Sequence, residues 1–410
     1  MDPRLELRRE PAPDLDAVGE DAALVERIRD EIRSSGPMPF ARYMDLALYD
    51  ADGGYYRASE PRPGRGGDFL TAPELHPIFG ATLATGLHEI WQCLGRPDPF
   101  VIREHGAGTG AMALAILGGI EDVAFRATVH YEPVEVDDRR VVAFRQALAA
   151  AGHGERLGTA ADSGSEPFDG LVLANEVLDA LPVHRVRQRA GKLRELAVGL
   201  DTDGDFVELE IDPTTPDLAA RLENEGIALV DGQTAEICLV LDGWMAAAAA
   251  PLRRGLVLLI DYGAPATDLY HPIRRRDGTL RAYLRHRVHD DPYVHVGRQD
   301  LSAHIDVTAV ERAAHAVGLS TVGITTQPEA LMGLGIQDRL QAIQADPTTT
   351  LEEYALVRAA LVRLLDPAAM GRFRVMAFGR DWPALPEDAP LRLFGFQLPD
   401  RTGPQRTPAD

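Results

Sequence analysis

The segment Glu104-His105-Gly106-Ala107-Gly108-Thr109-Gly110 sets one acid before three glycines separated by single residues. Glycine takes positive φ without steric cost and lets a ligand approach the main chain closely, and a helix starting there offers unpaired N–H groups. Dinucleotide-binding turns keep G-x-G-x-x-G, whereas Thr109, Gly110 and Ala111 follow Gly108 here. An acid just before the glycines sits poorly beside a pyrophosphate. It suits a ligand with positive charge, as the sulfonium and amino group of S-adenosylmethionine have; a tight turn with no ligand is the plain alternative. Glu132, placed at the end of a second strand, can accept both ribose hydroxyls of an adenosine, or be a solvated loop carboxylate. Asp162, after a third strand, is placed near the adenine.

Asn175-Glu176-Val177-Leu178-Asp179 puts two acids three residues apart, which on a helical turn share a face. Such a pair could grip a guanidinium or amine, aim its nitrogen at a sulfonium and help remove the proton lost on methylation. The competing reading is a helix start, with Asn175 as cap and the acids favoured by the dipole. The stretch from Gly67 to Glu74, with Asp68 and Thr71, is expected to fold over the cofactor as a lid, unless Thr71 simply caps the helix that follows. His286, His304 and Asp306 match no compact zinc spacing, and no metal is expected.

These residues need elements to hold them. Apolar positions recur at helical spacing over 22–33 and 40–49, and a further helix is expected over about 76–94, so helices and a Gly-rich loop precede any strand. The period then changes. Strands are expected at 100–102, 127–131, 168–174 and 256–260, alternating with helices at 111–117 and 137–150, followed by a helix at 307–317 and strands at 321–326 and 373–378. Alternating βα units imply an α/β fold of Rossmann-like type: a mostly parallel sheet covered on both faces, with its ligand at the C-terminal strand ends. Residues 183–254 depart from that alternation and read as a β/α insertion, either a substrate region or an extension of the fold. The expected organisation is a flexible tail at 1–20, a helical and lid region at 21–98, core halves at 99–182 and 255–380 around the insertion, and a flexible tail at 381–410.

The 410 residues carry 42 Lys plus Arg against 63 Asp plus Glu, a net charge of -21, which argues against a binder of nucleic-acid backbones. Two cysteines in separate contexts give neither a CxxC pair nor a disulfide framework. The first residues lack an apolar signal core, and no run reaches the ~20 apolar residues of a membrane span. A cytoplasmic location is the expectation.

Several blocks together carry a resemblance: FARYMDLALYDADGGYY (40–56), GDFLTAPELHPIFG (67–80), EHGAGTG (104–110), ANEVLDALPVHR (174–185), LIDYG (259–263), GTLRAYLRH (278–286), GRQDLSAHIDVT (297–308) and MGRFRVMAFG (370–379). In this order they resemble the MidA family. The resemblance implies a class I S-adenosylmethionine-dependent methyltransferase and, in the family's mitochondrial members, symmetric dimethylation of an arginine on a complex I subunit. It implies that Glu104, Gly106, Ala107, Gly108 and Gly110 form the cofactor loop, Glu132 the ribose acid, and Asn175, Glu176 and Asp179 the motif after the fourth strand. His105 stands where the family usually has an aliphatic residue, and Val134 where a Ser commonly follows the ribose acid. The expected partner is a protein, peptide or small-molecule methyl acceptor, with no nucleic acid and no membrane; a homodimer is compatible with the sequence. The alternatives are a tailoring enzyme for a peptide or metabolite and a non-catalytic assembly factor that binds the cofactor.

Overall fold

Runs such as Leu171-Val172-Leu173-Ala174 and Leu256-Val257-Leu258-Leu259-Ile260 have no polar side, so a strand made of them must be covered on both faces. The computed structural model, which describes residues 18–57, 71–158, 166–285, 287–386 and 389–398, shows this arrangement. Leu171, Leu173, Leu256, Leu258 and Ile260 face one layer, with helices Ile78–Cys93 and Ala111–Gly119. Val172, Ala174, Val257 and Leu259 face the other, with helices Leu241–Ala249 and Val307–Ala316.

The order across the central sheet is Ser320–Thr326, Phe373–Arg380, Leu252–Ala264, Phe168–Asn175, Phe100–His105 and Val129–Val134. Strands Val129–Val134, Phe100–His105, Phe168–Asn175 and Leu252–Ala264 pair in parallel. Phe373–Arg380 runs antiparallel to both its neighbours. The sequence-predicted strands and helices are therefore present, with one inverted strand that alternation alone does not reveal. Gly170 and Gly255 lie side by side in the sheet, where a Cβ would run into the carbonyls of Val101 and Gly170 respectively.

One strand boundary matters for function. Val129–Val134 starts and ends later than the expected 127–131 and passes straight through Pro133. Proline reads as a strand breaker because it cannot donate to a ladder, but this strand is the sheet's edge, where that loss is tolerated.

The insertion builds a second sheet from His184–Arg189, Lys192–Leu200, Phe206–Ile211 and Thr234–Ile237, and Met38–Pro39 from the N-terminal region joins it through Lys192–Leu200. Helices Ala22–Ser35 and Phe40–Tyr49 pack there rather than over the central sheet: Leu24, Ile28, Phe40 and Tyr43 share a core with Val183, Val198, Ala282 and Leu301. A three-stranded sheet of Arg281–Leu284, Arg287–His289 and Asp300–Ser302 closes this lobe. The expected 21–98 region thus divides, with 22–57 in the second lobe and 72–93 in the central core.

The expectation of a loose tail after 380 is corrected over 389–398. Leu391 and Leu393 are buried in the main core, and the Leu398 N–H donates to Glu329 Oε1 at 3.1 Å. The Pro-rich composition hid two apolar anchors. Among the described residues, no helix is long and apolar enough to cross a membrane. We expect Leu393→Ala to lower unfolding free energy by about 2–4 kcal/mol in denaturant titration; a loosely attached segment would change it by less than about 0.5 kcal/mol.

Candidate active site

Strand Phe100–His105 delivers the glycine turn to the C-terminal edge of the sheet. Gly106, Gly108 and Gly110 all take positive φ, at 66°, 54° and 81°. The Gly106 N–H donates to the Val134 carbonyl at 2.9 Å, tying the turn to the neighbouring strand end. A Cβ at Gly106 would lie 2.8 Å from Val177 Cγ2, so its absence lets the glycine turn and the 175–180 turn meet. Helix Ala111–Gly119 begins directly after Gly110. A cavity of about 230 Å³ opens here, bounded by residues 104–109, by Glu135 and Val136, and by Asn175, Glu176 and Val177. Tyr49, Tyr56, Thr71, Glu74, Arg140 and Trp244 are also part of its wall.

Glu104 is buried at the cavity wall and accepts a 2.7 Å hydrogen bond from Tyr131 Oη. Burial outweighs that bond and pushes its pKa up to about 8. His105 next to it is pushed down to about 4, by burial first and the Arg103 charge second, and its ring stands edge-on to Trp244 at 5.5 Å.

Glu132 lies away from the cavity in which its ribose role was expected. Because the strand runs through Pro133, Glu132 lies within it, opposite Arg103 of the next strand. Arg103 Nε and Nη2 donate to Glu132 Oε2 at 2.9 and 2.7 Å, both side chains are buried, and Glu132 does not line the cavity. The carboxylate that follows the strand end is Glu135. It lines the cavity, and its Oε1 accepts the Gly108 N–H at 2.5 Å.

Asn175 ends its strand and Glu176 turns sharply away at φ 54°, so the segment is a turn and not the expected helix start. Its geometry is set by Asp261, near the end of the adjacent strand. Asp261 Oδ2 accepts the N–H groups of Val177, Leu178 and Asp179 at 3.2, 2.8 and 3.3 Å. Glu176 Oε1 accepts from Asn175 Nδ2 at 3.0 Å and from the Ala72 N–H at 3.1 Å. Burial, with the Asp179 charge second, pushes Glu176 up to about 8. Asp179 is turned away from the cavity, its Oδ2 accepting from Ser302 Oγ at 2.7 Å, and burial pushes it up to about 6. The two acids therefore lie within electrostatic reach without sharing a helical face.

Thr71 takes the capping place left open for it, and residues 67–70 of the expected lid lie outside the described residues. It heads the short helix Ala72–Leu75, its N–H reaching Glu74 Oε2 at 3.4 Å, and it lines the cavity. Asp68, Asp162 and His286 lie outside the described residues. The cavity thus gathers Glu104, Gly106, Ala107, Gly108, Thr71, Asn175 and Glu176 from the sequence reading and leaves out Gly110, Glu132 and Asp179. Glu135, Trp244 and Asp261 were missed. An acid two residues past Pro133 was the available signal for Glu135; Trp244 comes from the insertion, and nothing local marks it. Among the described residues, no group of three or more His, Cys, Asp or Glu side chains could hold a metal ion.

An adenosyl sulfonium fits these groups: the carboxylates suit its charge, and Asn175 Oδ1 is buried at the cavity wall with no hydrogen-bond partner among the described residues. A glycine turn and acid-lined cavity at the C-terminal ends of a mostly parallel sheet, with one inverted strand, define a Rossmann-like S-adenosylmethionine-dependent methyltransferase. Residues 82–325, more than half of the chain, match the family described as S-adenosyl-L-methionine-dependent methyltransferase. The chain belongs to that family, the MidA family of the sequence resemblance. A crystal structure of a superfamily member from Burkholderia thailandensis bound to S-adenosyl-homocysteine is 34% identical, with a TM-score of 0.83 over 93% of this chain and 97% of that one. The mitochondrial protein arginine methyltransferase NDUFAF7 homolog of Drosophila melanogaster is 28% identical over 87% of this chain and 84% of its own length. Human NDUFAF7 is 25% identical over 76% and 73%.

Removing one partner of a buried ion pair leaves an uncompensated charge. We therefore expect Glu132→Ala to cost on the order of 3 kcal/mol of folding stability by denaturant titration. Affinity for S-adenosyl-homocysteine, measured at a temperature where the variant is folded, should stay within about threefold, a shift of well under 1 kcal/mol.

Proposed function

We propose that this methyltransferase acts on an arginine guanidinium in a protein. The observation that carries this reading is Glu176: a half-buried carboxylate on the cavity wall, with Oε1 fixed by Asn175 and Ala72, backed by a second acid, Asp179. The names of the NDUFAF7 relatives support it. When bound, the cofactor supplies a methyl carbon activated by its sulfonium.

The chain's own residues then do the positioning. Glu104 and Glu135 flank the glycine turn, where Glu135 holds the Gly108 N–H and has its second oxygen for the ribose hydroxyls, the task the sequence reading gave Glu132. A guanidinium has a pKa above ~12 and must give up a proton on methylation. Glu176, with its affinity for protons raised by burial, is suited to accept an N–H of the acceptor and then take that proton. Asp179 adds negative charge behind it, and Asp261 holds both through the main chain. Trp244 and the two tyrosines, Tyr49 and Tyr56, wall off solvent.

Glu176→Gln should lower kcat by about 10²-fold or more, the usual scale for a general base, with unchanged S-adenosyl-homocysteine affinity. Glu135→Gln should do the reverse, weakening that affinity about tenfold, or 1.4 kcal/mol. Both are read by calorimetry and by transfer of labelled methyl to protein in cell extract. Label found only in small molecules would favour the tailoring reading, and tight binding without any transfer the assembly-factor reading.

Glu104 and Glu176 also set a pH dependence. Their folded-state pKa values are raised to about 8, so burial of the neutral acids contributes stability that is full below the ordinary carboxylate pKa and lost as pH rises through about 8. A cationic ligand favours their ionised forms. Affinity for S-adenosylmethionine relative to the uncharged-sulfur product should therefore rise roughly tenfold between pH 6 and 8.5, the equivalent of one pKa unit. Titration calorimetry at the two pH values checks it; a flat ratio would separate these acids from the sulfonium.

A further inference from the structure

A group of cations lies beside the acid turn that methyl transfer itself leaves unused. In an antiparallel pair, side chains directly opposite each other share a face. Arg281 stands opposite Ser302, and Tyr283 opposite Asp300. Ser302 Oγ holds Asp179, and Asp300 Oδ1 accepts from Tyr56 Oη at 2.8 Å, so this face of the three-stranded sheet looks toward the active site. Ala282 and Leu301, between them in sequence, point into the second lobe's core. Arg281 thereby leaves its strand on the face that carries Ser302, the partner of Asp179.

Two more arginines meet it there. The Ala303 N–H donates to the Asp179 carbonyl at 2.9 Å, and the next residue, His304, stacks on Tyr262 with ring centres 5.8 Å apart. Arg275 Nη2 lies 3.5 Å from His304 Nδ1. Tyr262 follows Asp261 and packs on Phe373 with ring centres 3.9 Å apart, which brings Arg372 to the same edge of the sheet. Burial first, then the charges of Arg275, Arg281 and Arg372, hold His304 down at about 4, so all three charges lie within electrostatic reach of its ring. Arg275 itself is shifted down, by burial and then by Arg372 and Arg281.

Neighbouring carboxylates do not neutralise the group. Among the described residues, Arg275 and Arg372 form no ion pair, and Arg281 has only a 3.5 Å approach to Asp290, which is 85% exposed. Arg281 Nη1 also donates to the Leu280 carbonyl at 2.6 Å, and Arg372 Nε to the Pro367 carbonyl at 2.7 Å. Glu236, which acts on Arg275 from a distance, spends Oε2 on Thr279 and has Oε1 3.6 Å from Arg185. Elsewhere the arginines pair readily, as Arg185, Arg187 and Arg189 do with Glu208 and Glu210. In a chain of net charge -21, three such cations beside the methyl-transfer site mark a place where the balancing charge comes from the ligand.

We propose that Arg275, Arg281 and Arg372 form an anion-binding subsite on the acceptor side of the active site, which takes the carboxylate of an acidic residue flanking the methylated arginine. The assignment of the occupant rests on the protein-arginine reading above. The substrate segment then carries a cation for Glu176 and an anion for the arginines, a pairing that fixes direction as well as affinity.

Two measurements test this separately. Titrating succinate into the protein loaded with S-adenosyl-homocysteine should show binding that is at least tenfold weaker in the Arg281→Gln/Arg372→Gln variant, with product affinity unchanged; Arg372→Gln alone, at an exposed position, serves if the double variant unfolds. Equal succinate binding, or none in the wild type, overturns the subsite whatever the acceptor is. An array of arginine peptides with Glu or Gln at each flanking position should then show at least a tenfold kcat/KM preference for Glu, lost in the variant. Methylation indifferent to Glu overturns the proposed occupant. If no arginine peptide is methylated, the arginine reading and this occupant fail together, while the succinate titration still decides the subsite.

Discussion

One carboxylate organises the reacting end of this protein. Asp261 sits inside its strand, one residue past the point where the neighbouring strand ends, and by accepting three consecutive N–H groups it bends the chain from Val177 to Asp179. That bend puts Glu176 at φ 54°, a region non-glycine residues adopt at a cost of about 1 kcal/mol or more. In return the Glu176 carboxylate points into the cavity, where Asn175 and Ala72 hold one of its oxygens. Asp261 is itself fully buried, and burial together with the Asp179 charge raises its pKa. Acidic groups are thus stacked at one strand edge, each held by main-chain donors, a cheaper counterweight than a second buried cation.

The same principle runs around the cavity. Glu135 is satisfied by the glycine turn, with the Arg140 charge nearby, Glu104 by a tyrosine and Glu176 by a main-chain amide, and among the described residues none of the three forms an ion pair with an arginine or lysine. Electrostatic attraction for a cationic ligand therefore survives in the folded protein. Glu132 shows the opposite choice: locked to Arg103, it serves the sheet and contributes nothing to the cavity. Two acids three residues apart on one short stretch are separated by function because a strand reverses side-chain direction at every residue and because only one of them lies past its end.

Much of this was legible in the sequence. The alternation of short apolar runs with helical periods placed the sheet, and the glycine turn, Asn175 and Glu176 all reached the cavity as expected. The failures have physical causes. The second strand was expected to stop at 131, which put Glu132 at its end, whereas it runs on through Pro133 at the sheet's edge, where the loss of a donor is tolerated. The spacing of Glu176 and Asp179 suggested a helix, but local periodicity carries no trace of a distant aspartate that captures the amides. Trp244 and Asp261 reach the site through tertiary packing, which no spacing rule encodes, and the inverted strand at 373–380 is likewise fixed by the sheet and not by its own residues.

The site is also stitched from distant parts of the chain. Tyr49 Oη donates to the Ala180 carbonyl, Tyr56 Oη to Asp300 and Ser302 Oγ to Asp179, so these hydrogen bonds alone span residues 49 to 302. During synthesis the glycine turn emerges early and its working surroundings only after some two hundred further residues, on the order of ten seconds at ribosomal rates of about 5–20 residues per second. Ligand capture is therefore a late event in the maturation of this polypeptide, and a nascent chain that stalls short of residue 300 carries the glycine turn but lacks the contacts that complete the site.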